Sequence, residues 1–187
     1  PRISKAPRTT RIASITIVVC LTVELVLITS AAAAETTSHF NVTSPAATAV
    51  WSAMAWFITV LWFATMVLTV MFIRSPGVDQ VMKRAFTWGL VVSIAGMGVA
   101  FLMTGPTAEQ LADFQGVAGA HTVGSEDGGP GIPLFGWSTV AGDLRVPHFV
   151  GLHALQLIPL AVFFLRTKIS VTGVDFIGVG YLIVVGL

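Results

Sequence analysis

Five stretches of nearly continuous apolar residues divide the chain, and short polar segments separate them. The stretches cover about residues 12–34, 47–73, 85–104, 146–165 and 169–187. About 20 residues at a rise of about 1.5 Å per residue cross a hydrocarbon core, so each complete stretch predicts a transmembrane helix. The pattern predicts an all-α integral membrane helical bundle, a single bundle over residues 1–187 with at least five transmembrane helices.

Both ends of the chain affect how the first and last stretches are interpreted. The chain opens on Pro1 rather than Met and the fifth stretch runs to Leu187, so we expect further sequence beyond both. A second interpretation takes residues 1–34 as a secretory signal, because a basic start and an apolar stretch precede a run of four alanines. The length of that stretch and Glu24 near its middle favour a retained helix.

The basic residues are distributed asymmetrically between the connecting segments. Of the ten Lys and Arg, nine border the same alternate ends of the helices: Arg2, Lys5, Arg8, Arg11, Arg74, Lys83, Arg84, Arg166 and Lys168. Basic residues concentrate on the cytoplasmic side of membrane proteins, so the N-terminus is expected in the cytoplasm. The segments 35–46 and 105–145 then face outward. The dense turn residues of 125–133 predict that loop 105–145 folds back as a lid.

Composition supports a membrane protein and narrows its partners. Hydrophobic residues make up 55% of the chain, charged residues 10%, and the mean hydropathy is +0.86, which excludes an ordinary water-soluble domain. The lipid bilayer is the first expected partner. A net charge of +1 with scattered basic residues argues against nucleic acid. One cysteine, Cys20, leaves no internal disulfide and no cysteine-based metal site.

Small residues recur along one side of the third stretch. Gly89, Ser93, Gly96 and Ala100 fall within a stripe about 60° wide on a helix. Such a stripe lets a second helix approach closely, which drives helix association in lipid. The five tryptophans are interpreted as interfacial anchors and packing groups, with no aromatic cage for a ligand.

The fourth stretch carries polar side chains inside an apolar sequence. His148, His153 and Gln156 lie in one sector of about 140°, so this helix is expected to have a polar face within the membrane. Asp143 precedes the helix and is placed to cap or charge-stabilise its N-terminus. His153 is about 10 Å below the outer helix end and Glu24 about 15 Å below its own, which predicts side-chain reach between them.

The candidate site consists of four histidines and one carboxylate. His39 and His121 lie in the outward segments, and with His148, His153 and Glu24 they are residue types that bind haem, iron, copper or zinc. His148 and His153 are five residues apart and diverge by about 140°, so one ion held by both is not expected. A haem held by two imidazoles would need His39, His121 or another chain opposite.

Three segments resemble a family of uncharacterised bacterial polytopic membrane proteins. They are the helix around Glu24 (VELVLI), the tetrapeptide SHFN at 38–41, and AHTVGSEDGGPGIPLFGWSTVAGDLRVPHFVGLHALQ at 120–156. The resemblance covers most of residues 20–165 and implies a multi-pass protein of the bacterial cytoplasmic membrane. It implies no activity. One departure is Val140-Ala141-Gly142, where the family pattern has a Gly-Gly pair before the aspartate.

These features support two main functional hypotheses. The first is binding of haem or a transition metal for electron transfer or redox chemistry at the outer face. The second is a cofactor-free accessory or scaffold subunit of a larger membrane complex, such as a respiratory or redox complex. In that hypothesis the stripe around Gly96 docks the partner and the histidines only brace the loops. An enzyme using histidine and Glu24 as acid and base, a proton relay and a transporter are weaker alternatives, because no nucleophile motif or repeat halves are visible.

Overall fold

The computed structural model describes residues 7–77 and 79–186, and its secondary structure is almost entirely helical. Arg2, Lys5 and the last residue of the fifth predicted helix, Leu187, lie outside the described residues. Among the described residues, one pair of two-residue strands, Thr122–Val123 and Gly142–Asp143, is antiparallel. The elements are α1 (Arg8–Ala33), α2 (Pro45–Arg74), α3 (Gln80–Val99), a 3₁₀ turn (Ala100–Met103), α4 (Ala108–Ala112), β1 (Thr122–Val123), β2 (Gly142–Asp143), α5 (Arg145–Leu165) and α6 (Val171–Val185). The prediction of an all-α protein is confirmed.

Four helical segments are long and apolar enough to cross a membrane. They are Arg8–Ala33, Pro45–Arg74, Gln80–Ala112 and Arg145–Leu165. The protein is therefore consistent with a multi-pass membrane protein in contact with the lipid bilayer. Helix α6 has 15 residues, fewer than the about 20 that a crossing needs. At least five spans and a cytoplasmic N-terminus stay predictions.

Two of the helices begin four or five residues before the apolar stretches that predicted them. Helix α1 begins at Arg8 and α3 at Gln80, against predicted starts near 12 and 85. In α3 the cause is a side-chain cap, because the Asp79 carboxylate accepts a hydrogen bond of 3.0 Å from the Met82 N–H. Polar residues can continue a helix past the hydrocarbon boundary, so hydropathy locates a span better than it locates the helix ends.

The chain divides into two compact units. The first comprises residues 1–68 and 104–120, and the second comprises residues 69–103 and 121–187. The predicted lid, loop 105–145, is thus shared between them: its first part belongs with the first unit and its second part with the second. That the chain forms a single bundle, and that the loop acts as a lid, stay predictions.

In the first unit, the segment after α1 pairs with the segment after α4. The Val42 N–H donates to the Gly116 carbonyl and the Ala118 N–H to the Phe40 carbonyl, each at 2.9 Å. The Asn41 side chain bonds within its own segment, because its amide oxygen accepts hydrogen bonds from the Thr43 N–H and hydroxyl. The asparagine of the SHFN tetrapeptide therefore stabilises one of the two paired segments.

Substituting Gly116 by alanine should disrupt this pairing. Its φ is +80° and an added Cβ would lie 2.6 Å from Thr43 Cγ2, so strain of about 1–2 kcal/mol adds to a steric clash. We expect faster amide hydrogen exchange at Val42 and Ala118 than in the wild-type protein. Gly105→Ala is the matched control, since no atom lies within 4 Å of its added Cβ. Equal exchange in the two variants would refute the assigned strain.

In the second unit, α3 and α5 pack at close range through glycine. An added Cβ on Gly96 would lie 2.8 Å from the Cα of Gly151, and one on Gly89 would lie 2.9 Å from the Cα of Leu155. The Ser93 hydroxyl donates to the Leu152 carbonyl at 3.0 Å. The small-residue stripe is thus a helix-packing surface, as predicted. It is covered by α5 of the same chain, so the hypothesis that it docks a partner protein is wrong.

Helix α6 completes the core of the second unit. The buried side chains Val92, Ala154, Ile158, Val162 and Val174 form that core. Asp175 of α6 accepts a 2.8 Å hydrogen bond from Trp88 Nε1 and lies 3.3 Å from Arg84 Nε. This carboxylate therefore joins α6 to α3 and has a structural role.

Candidate functional site

His148 is directed toward α3. Its Nδ1 lies 2.8 Å from the carbonyl oxygen of Gly96, and the side chain is half-buried. The carbonyl can only accept, so Nδ1 carries the proton in this contact. Gly96 makes the contact possible because it lets the two helices approach closely. His148 therefore stabilises the α3–α5 interface.

His153 lies on the exposed surface of α5. Its Nδ1 donates to the Phe149 carbonyl at 2.7 Å, one turn earlier in the same helix. This bond places the proton on Nδ1 and leaves the Nε2 lone pair as a ligand. No hydrogen bond to Nε2 occurs within residues 7–77 and 79–186. The predicted divergence of His148 and His153 is confirmed, because one bonds to α3 and the other to its own helix.

Aromatic side chains surround the same end of α5 as His153. The Phe149 ring lies 4.2 Å from the His153 ring between centroids, and Trp137 lies 5.5 Å from Phe149. Phe135 stacks on Trp137 at 4.8 Å. Trp137 thus belongs to a cluster of aromatic rings beside His153. The sequence interpretation of the tryptophans as interfacial anchors and packing groups did not predict this cluster. The spacing of Phe149 and His153, four residues apart on a helix, was the available signal.

Asp143 and Arg145 fix the loop to the start of α5. The Asp143 side chain is 2% exposed and accepts from the Arg145 N–H at 2.9 Å, which confirms its predicted position at the helix N-terminus. The Arg145 guanidinium donates to both Asp143 oxygens and to the Gly136 carbonyl. Burial acts to raise the pKa of Asp143, but the hydrogen bonds from Arg145 and Ser138 outweigh it and hold that pKa below its usual range. Arg145 is the one basic residue of the predicted outward segments, and it is paired.

His121 is held by a carboxylate of its own loop. Asp127 accepts from the backbone N–H groups of His121 and Thr122 and lies 2.8 Å from His121 Nδ1. Partial burial acts to raise the pKa of Asp127, but the bonds from His121 and Thr122 lower it to about 2. Asp127 is therefore ionised at neutral pH and orients the His121 ring. Sequence reasoning missed this carboxylate, six residues after the histidine.

His39 and Glu24 belong to the first unit. His39 Nδ1 lies 2.9 Å from the Ser38 hydroxyl, and its ring packs against Trp51 at 5.6 Å between centroids. Glu24 is 9% exposed, and its Oε1 has no hydrogen-bond partner among the residues that the structure describes. Its predicted approach to His153 stays a prediction.

The arrangement of these groups bears on which cofactor they suit. Within the described parts of the chain, no three His, Cys, Asp or Glu side chains gather as a protein-held metal ion would require. A structural zinc site takes four protein ligands and a catalytic one three, whereas a haem iron takes one or two imidazoles. A single exposed imidazole with a fixed tautomer is thus better suited to haem than to an isolated ion.

Comparison with known proteins identifies no relative. No protein-family model matches the chain, and neither a curated protein nor a solved structure matches it.

Proposed function

We propose that the protein is a bacterial cytoplasmic-membrane protein that binds haem through His153 and serves electron transfer at the outer face. One observation carries the proposal: His153 lies on the exposed side of a membrane-length helix, and its Nε2 has no hydrogen-bond partner among the described residues. A backbone or carboxylate partner at the other ring nitrogen is the usual means of orienting an imidazole ligand. The Phe149 carbonyl supplies that partner.

The surroundings of His153 suit a macrocycle better than a hydrated ion. Phe149, Trp137 and Phe135 offer flat apolar surface next to the imidazole. Leu157 and Leu160 continue the exposed face below it. In lipid an exposed imidazole is costly unless another group covers it, and a haem ring covers both the polar nitrogen and the apolar side chains.

The four histidines have different roles in this proposal. His148 is half-buried and bonds to the α3 backbone, and His121 bonds to Asp127 in a loop, whereas His153 is exposed on a membrane-length helix beside the Phe149 ring. We assign His153 as the ligand from this chain. The opposite iron position is left to a second imidazole or to water. A transition metal other than haem iron would need ligands from elsewhere.

The proposal is tested by single substitutions in protein expressed with a haem supply and purified in detergent. His153→Ala should abolish the Soret band and the bound iron, because the iron loses its ligand. Gln156→Ala is the matched control one turn along the same exposed face, and it should keep both. His148→Ala should lower thermal stability, since it removes a bond to the Gly96 carbonyl, yet retain haem. Full haem occupancy in folded His153→Ala would refute the assignment.

The accessory-subunit hypothesis keeps one supporting observation. His153 and Gln156 are both exposed on α5, and a polar helix of a partner subunit would cover them as well as a haem would. This function predicts co-purification with a membrane complex that is lost on His153→Ala, in protein that carries neither iron nor a Soret band.

A further inference from the structure

Glu24 is an acidic residue with no role in the haem proposal, and its side chain is buried in an apolar helix. It lies near the middle of α1, nine residues before the end of the helix at Ala33. The side chain is nine-tenths buried, and Oε1 has no hydrogen-bond donor within residues 7–77 and 79–186. A carboxylate without donors or counter-ions is strongly disfavoured in such a place.

Among the residues of the first unit that the structure describes, no cation lies close enough along the chain to neutralise Glu24. Helix α2 has no ionisable side chain between Pro45 and Leu68. Arg8 and Arg11 lie 13 residues or more away along α1, about 20 Å. The nearest titratable group on the same helix is Cys20, one turn earlier, and it is buried. The remaining titratable groups of the described first unit are exposed and lie in its loops or the short α4: Glu35, His39, Glu109 and Asp113.

A cleft of about 380 Å³ begins one helical turn beyond Glu24. Along α1, the lining residue nearest to Glu24 in sequence is Leu27, and Ala31 continues the same helix face, since residues 24, 27 and 31 are neighbours at helical spacing. The rest of the lining combines three apolar residues of α2, Ala46, Ala47 and Val50, with five hydroxyls and an amide that can hydrogen-bond water: Ser30, Thr36, Thr37, Thr43, Ser44 and Asn41.

We propose that Glu24 is a proton-binding site inside the membrane, loaded and unloaded by water through this cleft. The step is a simple proton transfer: an O–H bond forms on the carboxylate as a water-borne proton arrives, and it breaks as the proton returns to water. No electron moves and no other reactant is required. The proposal is independent of haem binding, because it uses only residues of the first unit.

Infrared spectroscopy on the full chain in lipid vesicles tests the proposal. The wild-type protein should show the carbonyl stretch of a protonated carboxylic acid at neutral pH, and Glu24→Gln should lack it while keeping wild-type thermal stability. Transfer to D₂O should shift this band, because the proton exchanges. An absent band, or a band that Glu24→Gln retains, would overturn the proposal, and so would an ionised Glu24 held by a basic partner chain.

The cleft is tested separately from the carboxyl. Ala47→Phe should fill the cleft from α2 and slow the D₂O shift at least tenfold without removing the band. Gln156→Ala, in the other unit, should leave the exchange rate unchanged. Exchange at the wild-type rate in folded Ala47→Phe would overturn the assigned route. Hydrophobic dicyclohexylcarbodiimide should modify Glu24 at neutral pH and less as the pH rises, and pH-independent or absent modification would count against a protonated carboxyl.

Discussion

Replacing Gly96 by alanine is expected to cause a large loss of stability, because the added methyl group has no room between α3 and α5. The added Cβ would lie 2.8 Å from Gly151 Cα, 2.9 Å from Gly151 C and 3.0 Å from Leu152 N. All three atoms are backbone, so relief requires the helices to move apart. Overpacking of this kind costs about 1–3 kcal/mol. We expect a loss at the upper end of this range, because moving α3 and α5 apart also breaks the hydrogen bonds of Ser93 and His148 to the facing helix.

Unfolding in mixed detergent micelles measures the effect of Gly96→Ala. Gly180→Ala is the matched control in α6, since no atom lies within 4 Å of its added Cβ. That variant should be neutral or more stable by up to about 1 kcal/mol, as alanine favours a helix over glycine. A Gly96→Ala variant as stable as Gly180→Ala would mean that α3 and α5 do not pack as described.

The second large effect is expected for Asp143→Ala. The lost carboxylate accepts hydrogen bonds from Ser138 N–H and from Arg145 through N–H, Nε and Nη2. Breaking a buried ion pair by removing one partner costs about 3–5 kcal/mol. Because the Arg145 side chain is 30% exposed, water can partly solvate its unpaired charge in the variant. We therefore expect a loss at the lower end of this range, about 3 kcal/mol in the free energy of unfolding. Residues 124–142 should become sensitive to protease while α5 stays helical.

The double variant Asp143→Ala/Arg145→Ala distinguishes two causes of instability. One is the unpaired charge left on Arg145, and the other is the loss of the hydrogen bonds that hold the loop to α5. Removing both partners leaves no unpaired guanidinium, so the double variant should be less destabilised than the sum of the two single variants. The free energy of unfolding of all four proteins measures this coupling. Additive losses would show that Asp143 acts only through the backbone N–H groups.

Several features of the fold and the site follow from residue spacing alone. Gly89, Ser93 and Gly96 lie on one helix face whatever surrounds them, so their use in close packing was predictable. The same geometry separates His148 from His153. Asp143 directly precedes an apolar helix, and a carboxylate there is favoured by the free N–H groups of the first turn. These are local relations, fixed by helix geometry.

The features that spacing did not predict depend on distant partners. Lipid and protein interiors are similarly apolar. Hydropathy therefore predicts that Gly96 lies within a transmembrane helix, but it does not predict which helix packs against Gly96. The pairing of the segments around Asn41 and Gly116 depends on a backbone φ of +80° at Gly116. The same holds for the carboxylate of Asp127, which reaches His121 across a turn with Gly124 at φ +93°. Hence the loop between α3 and α5 was predicted as one lid, whereas its two parts fold with different units.

The most direct test of a haem site at His153 is an absorption spectrum with iron analysis on one untagged, detergent-purified sample of the intact chain. The account predicts a Soret band and iron in stoichiometric amount. Folded protein with neither, after expression with a haem supply, would contradict it.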